Sequence, residues 1–567
     1  MTGNSPSRPT WYVETMAPRR ERPSLTYDID VDVCVIGGGL AGLTVAREVA
    51  RRGWSVAVLE AQQIASNASG RNGGCVLPGF SATPERIIER VGFDRAKALW
   101  GLSLGGVEYV RNAIREIGMP GVEPIQGWLS VQRIDDAAAL AASAELIGDK
   151  LGTEVEVWPT ERLRSEVKTE RYFQGLYMPG AFHIHPLNYA LGIAAAAEQA
   201  GAQIYERTPA LAIDPAGVRK RIDVPGARVR AGYIVLAGGP HLAALFPLVS
   251  QAILPLATQL AVTEPLGGAL ADALTYRGAL ADTRRVFEYY RIVDGDRLMW
   301  GGHVSARLST PRRLKKIFQR DIRRVFPQLG KVAIANAWTG IMGFAVHKMP
   351  QIGEVSPGLW VASAFGGHGL NTTAMAGELI ARAMIEGDDR WRLFETYDLV
   401  WAGGLAGRAM AQAVYWSKQA RDVIDEWRPR RHHEAAPTVA AEPAMPLAPG
   451  DSGPSHPPTE DLESPVKSEQ ASEKIEASSK LVAEAQEQPS PSDPTPGRAN
   501  RVRDVSARTD AAVFATRDPQ SGGEVVKRQR ANRAGNTIAD PIPPGMAMSS
   551  PRTKKPRRKS DVTPPSE

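Results

Sequence analysis

Cysteine is nearly absent from this chain: 567 residues hold two, Cys34 and Cys75. Two thiols exclude a disulfide framework and fit a reducing compartment. No run of about 18 apolar residues occurs, which excludes an ordinary membrane-spanning helix. Residues 1–30 are polar and proline-containing and lack the apolar centre of a secretion signal, so a cytoplasmic location is expected. Metal-ligand spacing is missing too. His183-x-His185 would share one face of a strand with no third ligand, so no metal is expected.

Aromatic residues run out before the chain does. All twelve Trp and all thirteen Tyr stand at or before Trp427, and of twelve Phe only Phe514 lies beyond it. The 140 residues that follow cannot bury a normal core, so 428–567 is expected to be a disordered, low-complexity tail. Within it, 498–559 carries 15 Lys and Arg against 5 Asp and Glu, so the chain's net charge of +6 belongs to the tail. Weak contact with anionic surfaces is expected there, and specific nucleic-acid binding is not. The other basic stretch, 311–326, interleaves only Phe318 and reads as a solvated helix face.

What is present starts at Val31-Asp32-Val33-Cys34-Val35-Ile36, a β-branched run that opens into Gly37-Gly38-Gly39-Leu40-Ala41-Gly42. Residues 43–52 then place Val45, Ala46, Val49 and Ala50 at helical spacing, and Gly53 precedes a second buried strand ending in Glu60 and Ala61. In a G-x-G-x-x-G turn Gly37 bends the chain, Gly39 admits a pyrophosphate and Gly42 lets the helix approach the sheet. The amides of the helix start, from Leu40 and Ala41 on, then face phosphate. Glu60 stands where an acid accepts from ribose hydroxyls, and it would repel a 2′-phosphate.

Beyond Glu60, Ser66-Asn67-Ala68-Ser69-Gly70-Arg71-Asn72-Gly73-Gly74 is too small and polar for core, yet carries an arginine. Backbone amides and a guanidinium in such a loop suit a polar ring system or a pyrophosphate. Ser69 to Gly74, taken with the glycine turn, resembles the FAD-dependent D-amino acid oxidase superfamily, in particular its γ-glutamylputrescine oxidoreductase branch of bacterial amine oxidoreductases. The resemblance implies an α/β fold: a Rossmann-type, glutathione-reductase-like FAD-binding domain with an inserted α+β substrate domain on an antiparallel sheet. The expected division is an arm at 1–30, an FAD domain at 31–84, 180–245 and 335–427, and a substrate domain at 85–179 and 246–334. Trp11-Tyr12-Val13 is expected to clamp the arm.

Further FAD contacts implied by the resemblance are the backbone at Ala210, the strand end Ala237-Gly238, Gly340 in a Trp338-x-Gly340 element, and the turn Gly366-Gly367-His368-Gly369-Leu370. That turn opens a helix, expected from about 373 to 386, whose dipole would face the flavin pyrimidine edge. The hairpin 286–302 offers Tyr289 and Arg291 on one face and Tyr290 on the other. Aromatic rings there would hold an alkylamine chain, and Arg291 a carboxylate. The chemistry implied is hydride removal from the carbon beside a neutral amine onto flavin N5, with hydrolysis of the imine and reoxidation by oxygen or by a quinone or carrier. The readings are a polyamine-type amine oxidase, a D-amino acid or N-methylamino acid oxidase or dehydrogenase, and, in another class, a flavin-binding scaffold whose tail recruits a partner.

Overall fold

Two mixed sheets carry the molecule. The structure, a computed structural model, describes residues 10–242, 245–306 and 308–434. The eight-stranded sheet runs Gln351–Ser356, Leu359–Ser363, Ala227–Leu236, Ile29–Ile36, Val56–Leu59 and Gln203–Tyr205, with Lys220–Val224 and Ala212–Asp214 paired antiparallel beside Ala227–Leu236. Its five inner and edge strands from Leu359–Ser363 to Gln203–Tyr205 are parallel, Cys34 lying level with Ile234 on one side and Ala57 on the other. A strand buried on both faces needs a near-continuous apolar run, and Val33 to Val35 meet that need with no exposure. Helices Leu40–Arg51, Pro186–Gln199 and Gly369–Glu386 pack together to bury one face.

The nine-stranded sheet runs Ile334–Phe344, Leu254–Thr263, Arg297–Ser305, Tyr289–Val293, Ala279–Asp282, Ile125–Val131, Gly175–His183 and Cys75–Val76, with Glu156–Trp158 on Gly175–His183. All its pairs are antiparallel except Ala279–Asp282 with Ile125–Val131. Helix Pro311–Val325 closes a second core over it, where Tyr290 stacks on Trp300 at 4.1 Å and both meet Phe326 edge-on.

Several expected bounds shift for local reasons. The helix pattern of 84–118 is two helices, Pro84–Val91 and Phe93–Ile117, because Gly92 sits at φ +80°. Helix Gly369–Glu386 begins four residues earlier than expected. The hairpin strand starts at Tyr289, since the Val286 amide donates to Asp422 instead of a ladder partner. Sheet membership also differs from the expected division: Cys75–Val76 and Ile334–Phe344 belong to the antiparallel sheet. The tail expectation lies outside the described residues except at 428–434, which continue the helix Gly404–Glu434.

Candidate active site

The glycine turn between Ile29–Ile36 and Leu40–Arg51 is built as its letters require. A Cβ at Gly37, which has φ +116°, would stand 2.8 Å from the backbone of Ala237 and Gly238, and one at Gly42 would strike the Gly37 carbonyl and lie 2.9 Å from Val35. The Ala237 amide donates to Ile36 O at 2.9 Å, so both strand ends meet at this turn. Glu60 accepts from the amides of Gly38 and Gln62, each at 2.8 Å, and burial pushes its carboxyl above the usual range. The exposed Ala61 follows it. Ala210 lies two residues beyond Thr208, whose amide donates to Glu60 O at 2.8 Å, so that segment borders the acid.

The loop 66–74 crosses from this turn to the antiparallel sheet. At its start the Leu40 amide donates to Ser69 Oγ at 2.9 Å. Asn67 accepts from the Ile341 amide at 3.2 Å and pairs with His241, and Trp338 Nε1 donates to Arg71 O at 3.1 Å. Arg71, its pKa lowered by burial, donates to Ser66 O and Thr339 O at 2.8 and 3.3 Å. Gly340 packs against it, a Cβ there standing in ordinary contact at 3.4 Å from Arg71 Cβ. Asn72 folds back, its amide donating to Ala68 O and Ser69 O and its oxygen accepting from the Gly74 amide. Gly73 and Gly74 are glycine because Tyr289 and the Ile184 carbonyl occupy the space of a side chain.

Strand alternation does separate Tyr289 and Arg291 from Tyr290, with consequences the sequence did not anticipate. Tyr290 is 1 % exposed and donates to the Tyr172 hydroxyl at 3.2 Å inside the second core. It is packing, not pocket. Arg291, 5 % exposed, donates to Gly73 O (2.9 Å), Ile184 O (3.0 Å), the Tyr12 hydroxyl (3.2 Å) and His183 Nδ1 (2.8 Å). Four bonds commit it to holding the loop. Tyr289 borders Gly73 and Gly301 on the loop side.

The third turn, 366–370, faces the other two across Gly343. The Gly366 amide donates to Gly343 O at 3.0 Å, and Cβ atoms on Gly343 and Gly239 would lie 3.3 Å from Pro240 and 3.9 Å from Ser363 Oγ. Ser81, which no motif marks, accepts from the Gly367 amide at 2.7 Å. His368 caps the helix Gly369–Glu386, into whose core Leu370 is buried. Burial drives the His368 imidazole down to about 4, and its Nδ1 is buried with no hydrogen-bond partner. The turns near 37, 70 and 367 are thus linked by direct contacts through 237–241 and 338–343.

Glu288, His303 and Asp321 also converge, a set the sequence spacing does not disclose. Arg284 meets Glu288 at 3.0 Å, while Arg320 and His303 meet Asp321 at 3.1 and 2.8 Å. Arg284 and Arg320 occupy the carboxylates and His303 bonds Asp321, so the cluster is a network of ion pairs and hydrogen bonds.

Such a glycine turn, acid and loop define a dinucleotide-binding oxidoreductase. Residues 32–383 match the family described as FAD dependent oxidoreductase, and the chain belongs to that family; FAD is its cofactor. It is 32 % identical over 371 residues to γ-glutamylputrescine oxidoreductase of Escherichia coli, covering 64 % of this chain and 86 % of that one. A probable oxidoreductase OrdL of Haemophilus influenzae is 29 % identical over 396 residues, covering 68 % and 90 %. Among solved structures, glycine oxidase from Bacillus cereus superposes with a TM-score of 0.54 at 21 % identity over 65 % of this chain and 98 % of that one. L-proline dehydrogenase from P. horikoshii gives 0.55 at 19 % over 68 % and 99 %. The fold is therefore the α/β fold of FAD-dependent oxidoreductases.

The residues fit FAD on their own terms. Gly37 and Gly42 cannot carry side chains, the first-turn amides of Leu40–Arg51 beyond Leu40 have no side-chain cap, and Glu60 directly follows the neighbouring strand.

Proposed function

We propose that the parallel-sheet half is a Rossmann-type FAD domain, that the antiparallel sheet is the substrate domain inserted in it, and that the enzyme oxidises a C–N bond of an amine, a polyamine derivative of the γ-glutamylputrescine kind. The contact chain joining the turns near 37, 70 and 367 carries this reading. The helix start from Gly39 to Gly42 would hold the pyrophosphate, Glu60 the ribose, Ala210 the adenine edge, and Ser69 to Gly74 with Gly340 and the turn 366–370 the flavin ring. When bound, FAD accepts the hydride.

His368 and Tyr289 do the remaining work. Above pH about 4 the imidazole is neutral, and its unpartnered Nδ1 accepts a hydrogen bond from an entering amine. It does not store the proton: an alkylamine of pKa about 10 lies roughly 8 kcal/mol above such an imidazole. His368 therefore selects and orients an amine that has lost its proton to solvent, leaving the lone pair free to support the developing iminium. Tyr289 and Trp338 flank the loop and give the alkyl chain an aromatic wall. Arg291 acts at one remove by fixing Gly73. Its commitment weighs against the amino acid reading, which needs a carboxylate anchor. The unpaired Cys34 and Cys75 support a cytoplasmic setting.

Anaerobic mixing with an amine panel tests this. Bleaching by γ-glutamylputrescine or another primary amine supports the reading; bleaching only by D-amino or N-methylamino acids replaces it with the second; bleaching by none leaves a scaffold. Peroxide release in air then separates oxygen from a quinone or carrier as acceptor.

A further inference from the structure

Residues 404–426 of helix Gly404–Glu434 lie on the antiparallel sheet with their polar side inward. Asp422 and Asp425 meet Arg285 at 3.1 and 2.7 Å, Glu426 meets Arg133 at 2.9 Å, the Tyr415 hydroxyl reaches His303 at 3.1 Å, and Gln412 accepts from the Ala306 amide at 3.1 Å. Its apolar side chains point away: Leu405 is 82 % exposed, Met410 65 %, Val423 64 % and Ile424 47 %, with Trp401 just before the helix at 65 %. A surface helix of a soluble domain has the opposite arrangement. Leaving so many large apolar side chains in water is costly, and a contiguous patch of them marks an interaction site.

The neighbourhood says what kind. Asp321 of helix Pro311–Val325 and Tyr415 of this helix share His303, so the two helices stand side by side on one sheet face. The neighbour presents Arg312, Arg313, Lys316 and Arg323 to solvent, and none of them lies within ion-pair distance of a carboxylate among the described residues. Every acid of 404–426 is turned inward to a cation, so the outer surface pairs an apolar ridge with a basic one. Two copies of this chain brought ridge to ridge would oppose their basic helices. An anionic lipid surface answers both ridges at once, because apolar side chains enter the headgroup boundary while Lys and Arg meet the negative charge.

We propose that this face, on the side of the sheet opposite the loop 66–74, docks the protein peripherally on an anionic bilayer. The full chain should cosediment with phosphatidylcholine vesicles containing one quarter phosphatidylglycerol and not with phosphatidylcholine alone. Met410→Glu with Val423→Glu, both at exposed positions, should lower that partition by about tenfold or more, with bound flavin retained as the sign of an intact fold. Arg312→Glu with Arg323→Glu should lower the preference for the anionic lipid below that of the parent chain. Equal partition of all variants would assign binding to the basic tail and overturn the proposal. So would absence of vesicle binding by the parent chain, with or without a dimer that Met410→Glu and Val423→Glu dissociate.

Discussion

Arg291 donates to four buried acceptors, two of them carbonyls that shape the loop 66–74. Arg291→Met would leave those acceptors without donors, so it should cost about 3 kcal/mol of stability, read as a lowered thermal midpoint of the flavin-loaded protein. KM for carboxylated and uncarboxylated amines should move together; a selective rise for the carboxylated one would return Arg291 to the substrate. His368→Ala should keep the flavin and lower kcat/KM about tenfold to a hundredfold. In the parent enzyme kcat/KM should climb with pH as the amine deprotonates, without an inflection from His368 between pH 5 and 8, because its imidazole is already neutral there. At this scale the glycines were legible from their letters, since a missing side chain is itself the signal. Arg291 and Tyr290 were not, because the alternation that places them on opposite faces is silent about what waits on each.

Turns set the site at the next scale up. Ser81 holds the Gly367 amide and so couples the loop after Cys75–Val76 to the start of Gly369–Glu386. Ser81→Ala should remove about 1 kcal/mol and lower kcat more than flavin affinity, which stopped-flow reduction against a flavin titration resolves. Gly42→Val should abolish flavin binding outright, as its side chain would occupy the space of the Gly37 carbonyl and Val35. Elements with strong periodicity were readable: the first strand, its helix, the hairpin and Pro311–Val325 all stand close to where hydrophobic spacing placed them. Ends were less so. Gly92 and the Asp422 carboxylate decide two of them through a backbone angle and a partner more than a hundred residues away, neither of which a local window contains.

Across the whole molecule, burial keeps several imidazoles neutral. His185 and His368 are each lowered to about 4, and His183 well below its ordinary value, all chiefly by desolvation. Their unfolded counterparts titrate near 6.5. Between those values the unfolded chain binds more protons, so stability contributed by these groups is whole above pH about 6.5 and drains away as pH falls toward 4. For His185 and His368 a shift from 6.5 to about 4 corresponds to roughly 3 kcal/mol each at most. Urea midpoints should therefore drop between pH 6.5 and 4.5, and His185→Asn should flatten part of that drop. The topology that buries these rings was implied by family likeness, whereas the sheet to which Ile334–Phe344 belongs depends on pairing with Leu254–Thr263, a register no single segment encodes.

Tyr12 lies fully buried beneath the loop 66–74, its hydroxyl bonded to Asn72 O at 2.7 Å and its ring edge-on to Trp338 at 5.5 Å. The supports of that loop are thus scattered from the twelfth residue to the three hundred and thirty-eighth. A nascent chain leaving the ribosome holds the glycine turn almost at once, but waits for about three fifths of its synthesis before the wall behind the ring-binding loop exists. Cofactor capture should accordingly be a late event, and stalled chains ending before residue 334 should emerge colourless.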